Sequence, residues 1–101
     1  MKIVRIKVIW THENVHAEKT DYDMHDKWTV HVVQEDGTLS SWATIVTPFD
    51  EINFRTHDWR VRKAARLIAK RLRVPGVTKR LLRPMLREAM FHRDELVTFE
   101  R

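Results

Sequence analysis

The chain has 101 residues, 43% hydrophobic and 33% charged, which suits one domain over residues 1–101 and is too short for two ordinary ones. It contains no cysteine and no apolar run near the roughly 20 residues that cross a bilayer, so the composition excludes disulfides, thiolate metal sites and a membrane-spanning helix. We therefore expect an intracellular, cytoplasmic protein that has no membrane partner.

The charge of the chain is divided unevenly between its two halves. Residues 1–54 carry five Lys and Arg against nine Asp and Glu, whereas residues 55–101 carry 14 against five, for a formal net charge of +5 overall. Lys and Arg that neutralise a dense array of negative charge release its counterions. The asymmetry therefore points to a polyanionic partner, which is nucleic acid, an anionic membrane surface or an acidic protein, and charge does not decide among the three.

The N-terminal half predicts an antiparallel sheet within residues 2–47. Residues 2–10 alternate β-branched and cationic side chains, which is typical of a strand with one solvated face. Residues 11–26 are polar and acidic and show no sustained period, so they predict a long loop.

Two further strands are predicted over residues 27–34 and 39–47. Asp36 and Gly37 lie between them, and this dipeptide suits a two-residue type I′ turn, in which both central residues need a positive φ. The turn sets the register of the hairpin. The predicted pairs are Val32 with Ser41, His31 with Trp42, Val30 with Ala43, Thr29 with Thr44, and Trp28 with Ile45.

The C-terminal half predicts two helices, over about residues 57–74 and 78–91. Gly76 is predicted to supply the left-handed position that ends the first helix, and Pro84 either kinks the second or starts it. Residues 96–99 alternate weakly and predict a short edge strand. The expected fold is α+β: a three- or four-stranded antiparallel sheet followed by two C-terminal helices packed on one face.

Cations crowd the predicted helices on the side opposite the apolar stripe, and Arg60 and Arg71 are predicted to flank that side. Like charges at i, i+4, such as Arg62, Arg66 and Lys70, each cost about 0.2–0.5 kcal/mol, so an anionic partner would offset this repulsion. The alternatives are a solvated helix face and a helix-turn-helix that reads the major groove. The candidate nucleic-acid-binding residues are Arg62, Lys63, Arg66, Lys70, Arg71, Arg73, Lys79, Arg80, Arg83 and Arg87.

A second candidate site lies on the predicted sheet. If both helices cover one face, the other face carries Arg5, Lys7, His31 and Trp42, where an aromatic ring among cations would stack on an unpaired base. The alternative interpretation is that Trp42 only shields its cross-strand neighbours or lies under the long loop.

Residues 12–16 spell HENVH, which matches the HExxH motif of zinc hydrolases. In that motif, two histidines at i, i+4 of a helix bind zinc and the glutamate acts as general base. Here the string begins a loop-like segment and no HxxGxxH continuation follows, so we interpret His12 and His16 as a chance match and expect neither a metal nor another cofactor. A third ligand could in principle come from Glu18, Asp21, Asp23, His25 or Asp26. Signatures of other enzymes are also missing from the sequence.

These observations favour a small basic nucleic-acid-binding module, which is not an enzyme, whose cationic helix contacts phosphates. The alternative is a regulatory or inhibitor-like module that docks this helix on an acidic or nucleic-acid-binding surface of a larger protein, and a homodimer is compatible with either. A zinc hydrolase built on His12 and His16 is the remote alternative.

Overall fold

A computed structural model describes residues 3–14, 24–48 and 56–100. The sheet is antiparallel in the order β3-β2-β1-β4, and the two helices follow β3 in the chain, so the predicted α+β fold is confirmed. The elements are β1 (Ile3–Asn14), β2 (Met24–Gln34), β3 (Leu39–Pro48), α1 (Thr56–Leu72), α2 (Lys79–Ala89) and β4 (Leu96–Glu100). The predicted edge strand is therefore β4, which pairs with β1.

The hydrophobic core lies between one face of the sheet and the two helices. Alternate residues of β1 and β2, including Val8 and Val30, are fully buried because successive side chains of a strand point to opposite faces. The apolar stripe of α1, represented by Ile68, and that of α2, represented by Leu86, complete this core. The opposite sides of the helices are left in contact with solvent.

The long loop predicted for residues 11–26 is wrong at both ends. Strand β1 continues to Asn14 and β2 begins at Met24, and the two pair throughout this extension. Residues 15–23 lie outside the described residues. These strand ends consist largely of polar residues, so the hydrophobic pattern did not predict them. Backbone pairing with the neighbouring strand holds them in the sheet.

The hairpin has the predicted register but not the predicted turn. The amide of Gly37 donates to the Gln34 carbonyl and the amide of Gln34 donates to the Thr38 carbonyl, each at 2.9 Å, which makes a three-residue loop. Gly37 has a φ of 87°, whereas Asp36 has no positive φ, so the turn is not type I′. A bulge at Ser40 compensates for the extra loop residue, and the pairs from Val32–Ser41 to Trp28–Ile45 form as predicted.

Asp36 stabilises this turn through its carboxylate. The Thr38 hydroxyl donates to Asp36 Oδ1 at 2.6 Å and the Thr38 amide donates to the same atom at 2.9 Å. These bonds, the hydroxyl's first, hold the pKa of the Asp36 carboxyl below its usual value of 3.8. The bonds therefore stabilise the turn fully above that value, and the stabilisation is lost as the pH falls through the lowered pKa.

Replacing Gly37 with alanine is expected to lower the free energy of unfolding by about 1–2 kcal/mol, because a side chain is strained at positive φ. No atom lies within 4 Å of the position of an added Cβ, so the cost comes from the backbone alone. Gly37→Asn is the matched control, since asparagine tolerates the left-handed region. Urea denaturation measures the free energy of unfolding of both variants. Equal values for the two would contradict backbone strain at positive φ as the cause of the loss in Gly37→Ala.

The two helices differ from their predictions at the residues expected to interrupt them. Helix α1 ends at Leu72 because Arg73 takes the left-handed conformation, with a φ of 52°; Gly76 is also left-handed but lies in the following turn. Helix α2 starts after Thr78, whose hydroxyl accepts from the Leu81 amide at 3.2 Å, and it runs unbroken through Pro84. The predicted late start of α2 at Pro84 is therefore wrong. Burial of the apolar stripe on both sides of the proline outweighs one lost helical hydrogen bond.

Candidate nucleic-acid interface

Helix α1 presents a cationic stripe to solvent on the side opposite its core residues. Trp59 lies three residues before Arg62 and four before Lys63, Arg66 lies four and three residues after these two, and Lys70 follows four residues later, which places all five on one side of a helix. Arg62, Arg66 and Lys70 are exposed, and so is Trp59, which is 47% accessible. The core residues of α1 occupy the other side, so the stripe is free of packing constraints from the sheet.

Packing of α2 against α1 turns this stripe into one wall of a groove of about 320 Å³. We call it the inter-helix groove, and it is lined by Trp59, Arg62, Lys63, Arg66, Lys79 and Arg83. Five cations from two helices thus surround a single space. Converging cations raise the local concentration of anions, and at this spacing they are suited to the oxygens of a phosphate group.

Acidic residues neutralise only part of this surface. Helices α1 and α2 contain one acidic residue each, Asp58 and Glu88. The Asp58 carboxylate lies 3.0 Å from Arg62 Nε and also contacts Arg87. In the part of the chain that the structure describes, Arg66 and Lys79 have no carboxylate within ion-pair distance, so these two groove cations keep their positive charge.

Arg83 differs from the other cations because it is half-buried. Its Nε is shielded from solvent and has no hydrogen-bond partner in the structure. An unsatisfied buried donor costs about 1–3 kcal/mol, more when it belongs to a charged group. An anion held in the groove that Arg83 lines would offset part of this cost through its charge.

The ten cations predicted to bind nucleic acid therefore fall into separate groups. Arg62, Lys63, Arg66, Lys79 and Arg83 line the inter-helix groove, while Lys70, Arg71 and Arg73 line a shallower hollow with Leu67. Arg71 Nη1 donates to the Thr44 carbonyl at 3.1 Å. Arg80 is exposed outside both linings, and Arg87 is paired with Asp58.

Arg60 does not belong to the cationic surface, although its position in the helix led us to count it among the solvent-facing cations flanking the stripe. It is buried, and its Nε donates to Asp26 Oδ2 at 2.5 Å. Asp26 also accepts from Trp10 Nε1 at 3.1 Å and is itself fully buried, so it is not part of a solvated acidic loop. This ion pair links β2 to α1 inside the core.

Trp59 is the groove residue that sequence reasoning missed. It lies four residues before Lys63, whose Nζ is 5.1 Å from the centre of its ring. Its spacing of three residues from Arg62 and four from Lys63 could have identified it, because this spacing places Trp59 on the solvent side of the helix and away from the core residues.

The second candidate site occupies the sheet face opposite the helices. Strand register aligns Lys7 with His31 and His31 with Trp42 in one row across three strands, and Trp42 is 58% exposed. Arg5 lies on the same face, but its Nε is 3.1 Å from a Glu100 carboxylate oxygen. The predicted neighbours therefore share a face, with fewer cations than the inter-helix groove.

The HENVH string begins in a strand. His12 and Glu13 belong to β1 and pair with Asp26 and His25, so these residues do not have the helical spacing that a zinc HExxH site requires. His16 lies outside the described residues. Within the described ranges, no three His, Asp or Glu side chains converge to form a metal site.

Comparisons with known proteins leave this surface to be interpreted on its own chemistry. No protein-family model, curated protein or solved structure matches the chain. Neither described helix combines the length and apolarity needed to cross a bilayer.

Proposed function

We propose that this protein is a nucleic-acid-binding module that contacts phosphates through the inter-helix groove and the cations around it. The observation that carries the proposal is the convergence of five cations from α1 and α2 on one groove, of which only Arg62 has an acidic partner in the described residues. Cations that repel one another in the free protein gain by meeting a polyanion.

A polyanion with regularly spaced phosphates fits this surface better than a single small anion. The hollow formed by Lys70, Arg71 and Arg73 lies further along α1 and its C-terminal end, so cations continue along the helix beyond the groove. Nucleic acid supplies one phosphate per nucleotide along such a track. Arginine also suits phosphate, because its planar guanidinium donates two parallel hydrogen bonds.

The test is a titration of labelled single-stranded DNA, RNA and duplex DNA at several salt concentrations. If about four cations contact duplex phosphates, the logarithm of the binding constant falls against the logarithm of salt concentration with a slope of about −4. Absence of binding at low salt would overturn the proposal.

Polyglutamate serves as the competitor in the same assay. An acidic protein partner, the alternative for this surface, presents carboxylates instead of phosphates. We expect displacement of the nucleic acid to need a much higher concentration of polyglutamate than of a phosphate-bearing competitor of equal charge. Equal competition would favour the acidic protein surface as the natural partner.

A further inference from the structure

The inter-helix groove combines an exposed aromatic ring with cations, which a site for phosphates alone does not need. Trp59 lies at the edge of the groove with 47% of its surface accessible, while the side of α1 that packs on the sheet consists of other residues. Trp59 therefore adds little to the core. A large aromatic ring in such a place suits stacking with a planar group from a ligand.

The contact between Lys63 and Trp59 sets the electrostatics of this ring. The Lys63 ammonium lies 5.1 Å from the ring centre, within the range of a cation–π interaction. The lysine thus places positive charge over one face of the ring, and a base would stack on the opposite face. A nucleotide carries its base and its phosphate within one unit, so both features of the groove match the same ligand.

The groove has room for one nucleotide unit. Its volume of about 320 Å³ is at the lower end of the roughly 300–1,000 Å³ typical of small-ligand pockets. One nucleotide unit suits such a space, whereas a double helix is far wider and meets the groove only with its backbone. In a duplex the bases are also stacked inside, where Trp59 does not reach them.

The sheet face offers a weaker version of the same combination. Trp42 is exposed beside His31 and Lys7, but Arg5 on this face is paired with Glu100. The inter-helix groove brings five cations to its tryptophan, and only Arg62 among them is paired with a carboxylate in the described residues. Phosphate contacts supply most of the affinity for nucleic acid, so the groove is the stronger stacking site.

We propose that the inter-helix groove binds one unpaired nucleotide of a single strand, with its base stacked on Trp59 and its phosphate held by Arg66, Lys79 and Arg83. This inference rests on the proposed function and narrows it to single-stranded nucleic acid. The remaining cations then follow the backbone on either side of the bound nucleotide.

The experiment compares Trp59→Ala with Trp42→Ala, which removes the other exposed tryptophan from the opposite face of the protein. Fluorescence anisotropy measures binding of a labelled oligothymidylate, of the matching oligouridylate and of a duplex of equal charge. Trp59→Ala is expected to weaken single-strand binding at least about fivefold and to leave duplex binding within about twofold of wild type. Trp42→Ala is expected to bind all three as wild type does.

Conservative variants separate stacking from a change in fold. Trp59→Phe keeps an aromatic ring and is expected to retain most of the single-strand affinity, with circular dichroism confirming that each variant is folded. In Trp42→Phe the exposed indole that remains is Trp59, and its fluorescence is expected to be quenched by the oligothymidylate. Trp59→Phe, which leaves Trp42 exposed, is expected to show little quenching.

Four results would overturn the inference. Equal losses of single-strand and duplex affinity in Trp59→Ala would show that Trp59 supports the surface without stacking on a base. Loss in Trp42→Ala instead would place the stacking site on the sheet. Duplex binding by wild type without single-strand binding would leave the proposed function standing and this inference wrong, whereas no binding of any nucleic acid would end both.

Discussion

Replacing Asp26 with alanine is expected to lower the free energy of unfolding by about 3–5 kcal/mol. Asp26 is fully buried and accepts from Arg60 Nε at 2.5 Å and from Trp10 Nε1 at 3.1 Å. Its removal leaves the charge of Arg60, which is itself 4% exposed, inside the core without its carboxylate. Small domains have a total stability of about 5–15 kcal/mol, so the variant would be close to unfolding.

Asp58→Ala is the matched control, because Asp58 is likewise an aspartate paired with arginine. Its partners, Arg62 and Arg87, lie at the surface. Exposed pairs contribute about 0–1 kcal/mol, so this variant is expected to remain close to wild type in urea denaturation. A further variant, Asp26→Leu with Arg60→Met, removes both buried charges and is expected to recover much of the loss. Comparable stabilities of Asp26→Ala and Asp58→Ala would contradict the role we assign to the buried pair.

Removal of three cations from the inter-helix groove is expected to weaken nucleic-acid binding about 10²- to 10³-fold at low salt. The variant combines Arg66→Gln, Lys79→Gln and Arg83→Gln, which line the groove from both helices. Each lost hydrogen bond between a cation and a phosphate oxygen costs at least about 1 kcal/mol. The slope of affinity against salt concentration is also expected to become shallower by about 2–3, because fewer counterions are released on binding.

The control for this variant removes the same number of charges elsewhere. Arg5→Gln, Lys7→Gln and Arg93→Gln neutralise two cations on the open sheet face and one in the segment between α2 and β4. Both triple variants have the same net charge, so general electrostatic attraction is matched. Equal loss of affinity and equal change of salt slope in the two would show that binding depends on overall charge without a localised site.

Local patterns in the sequence predicted the β2–β3 pairing and the sides of α1 correctly. Alternation placed Val30, Val32, Ala43 and Ile45 on one face, and burial of that face sets the register, since a slip of one residue would expose all of them. The turn was wrong by one residue, and the bulge at Ser40 restored the register that burial requires. The hydrophobic face therefore determined the pairing more strongly than the preference of the turn.

Local patterns failed where residues distant in the chain decide the outcome. Asp26 resembled a residue of a solvated loop, but Arg60, 34 positions later, neutralises it in the core. Pro84 resembled a helix breaker, but burial of Leu82 before it and Met85 after it keeps α2 continuous. The sequence around Asp26 does not reveal Arg60, and the sequence around Pro84 does not reveal the core that buries α2. Periodicity and propensity therefore favoured the wrong local structure at both positions.

The sequence by itself determined which sides of the elements face solvent, because hydrophobic periodicity and charge are properties of neighbouring residues. It therefore predicted the α+β fold and the cationic side of α1 from the spacing of residues such as Ile68 and Arg66. Tertiary structure alone decided that Lys79 and Arg83 complete a groove with that side, and that Trp59 lies at its edge. The physical reason is that the groove depends on how two helices pack, and the packing follows from their shared burial against the sheet.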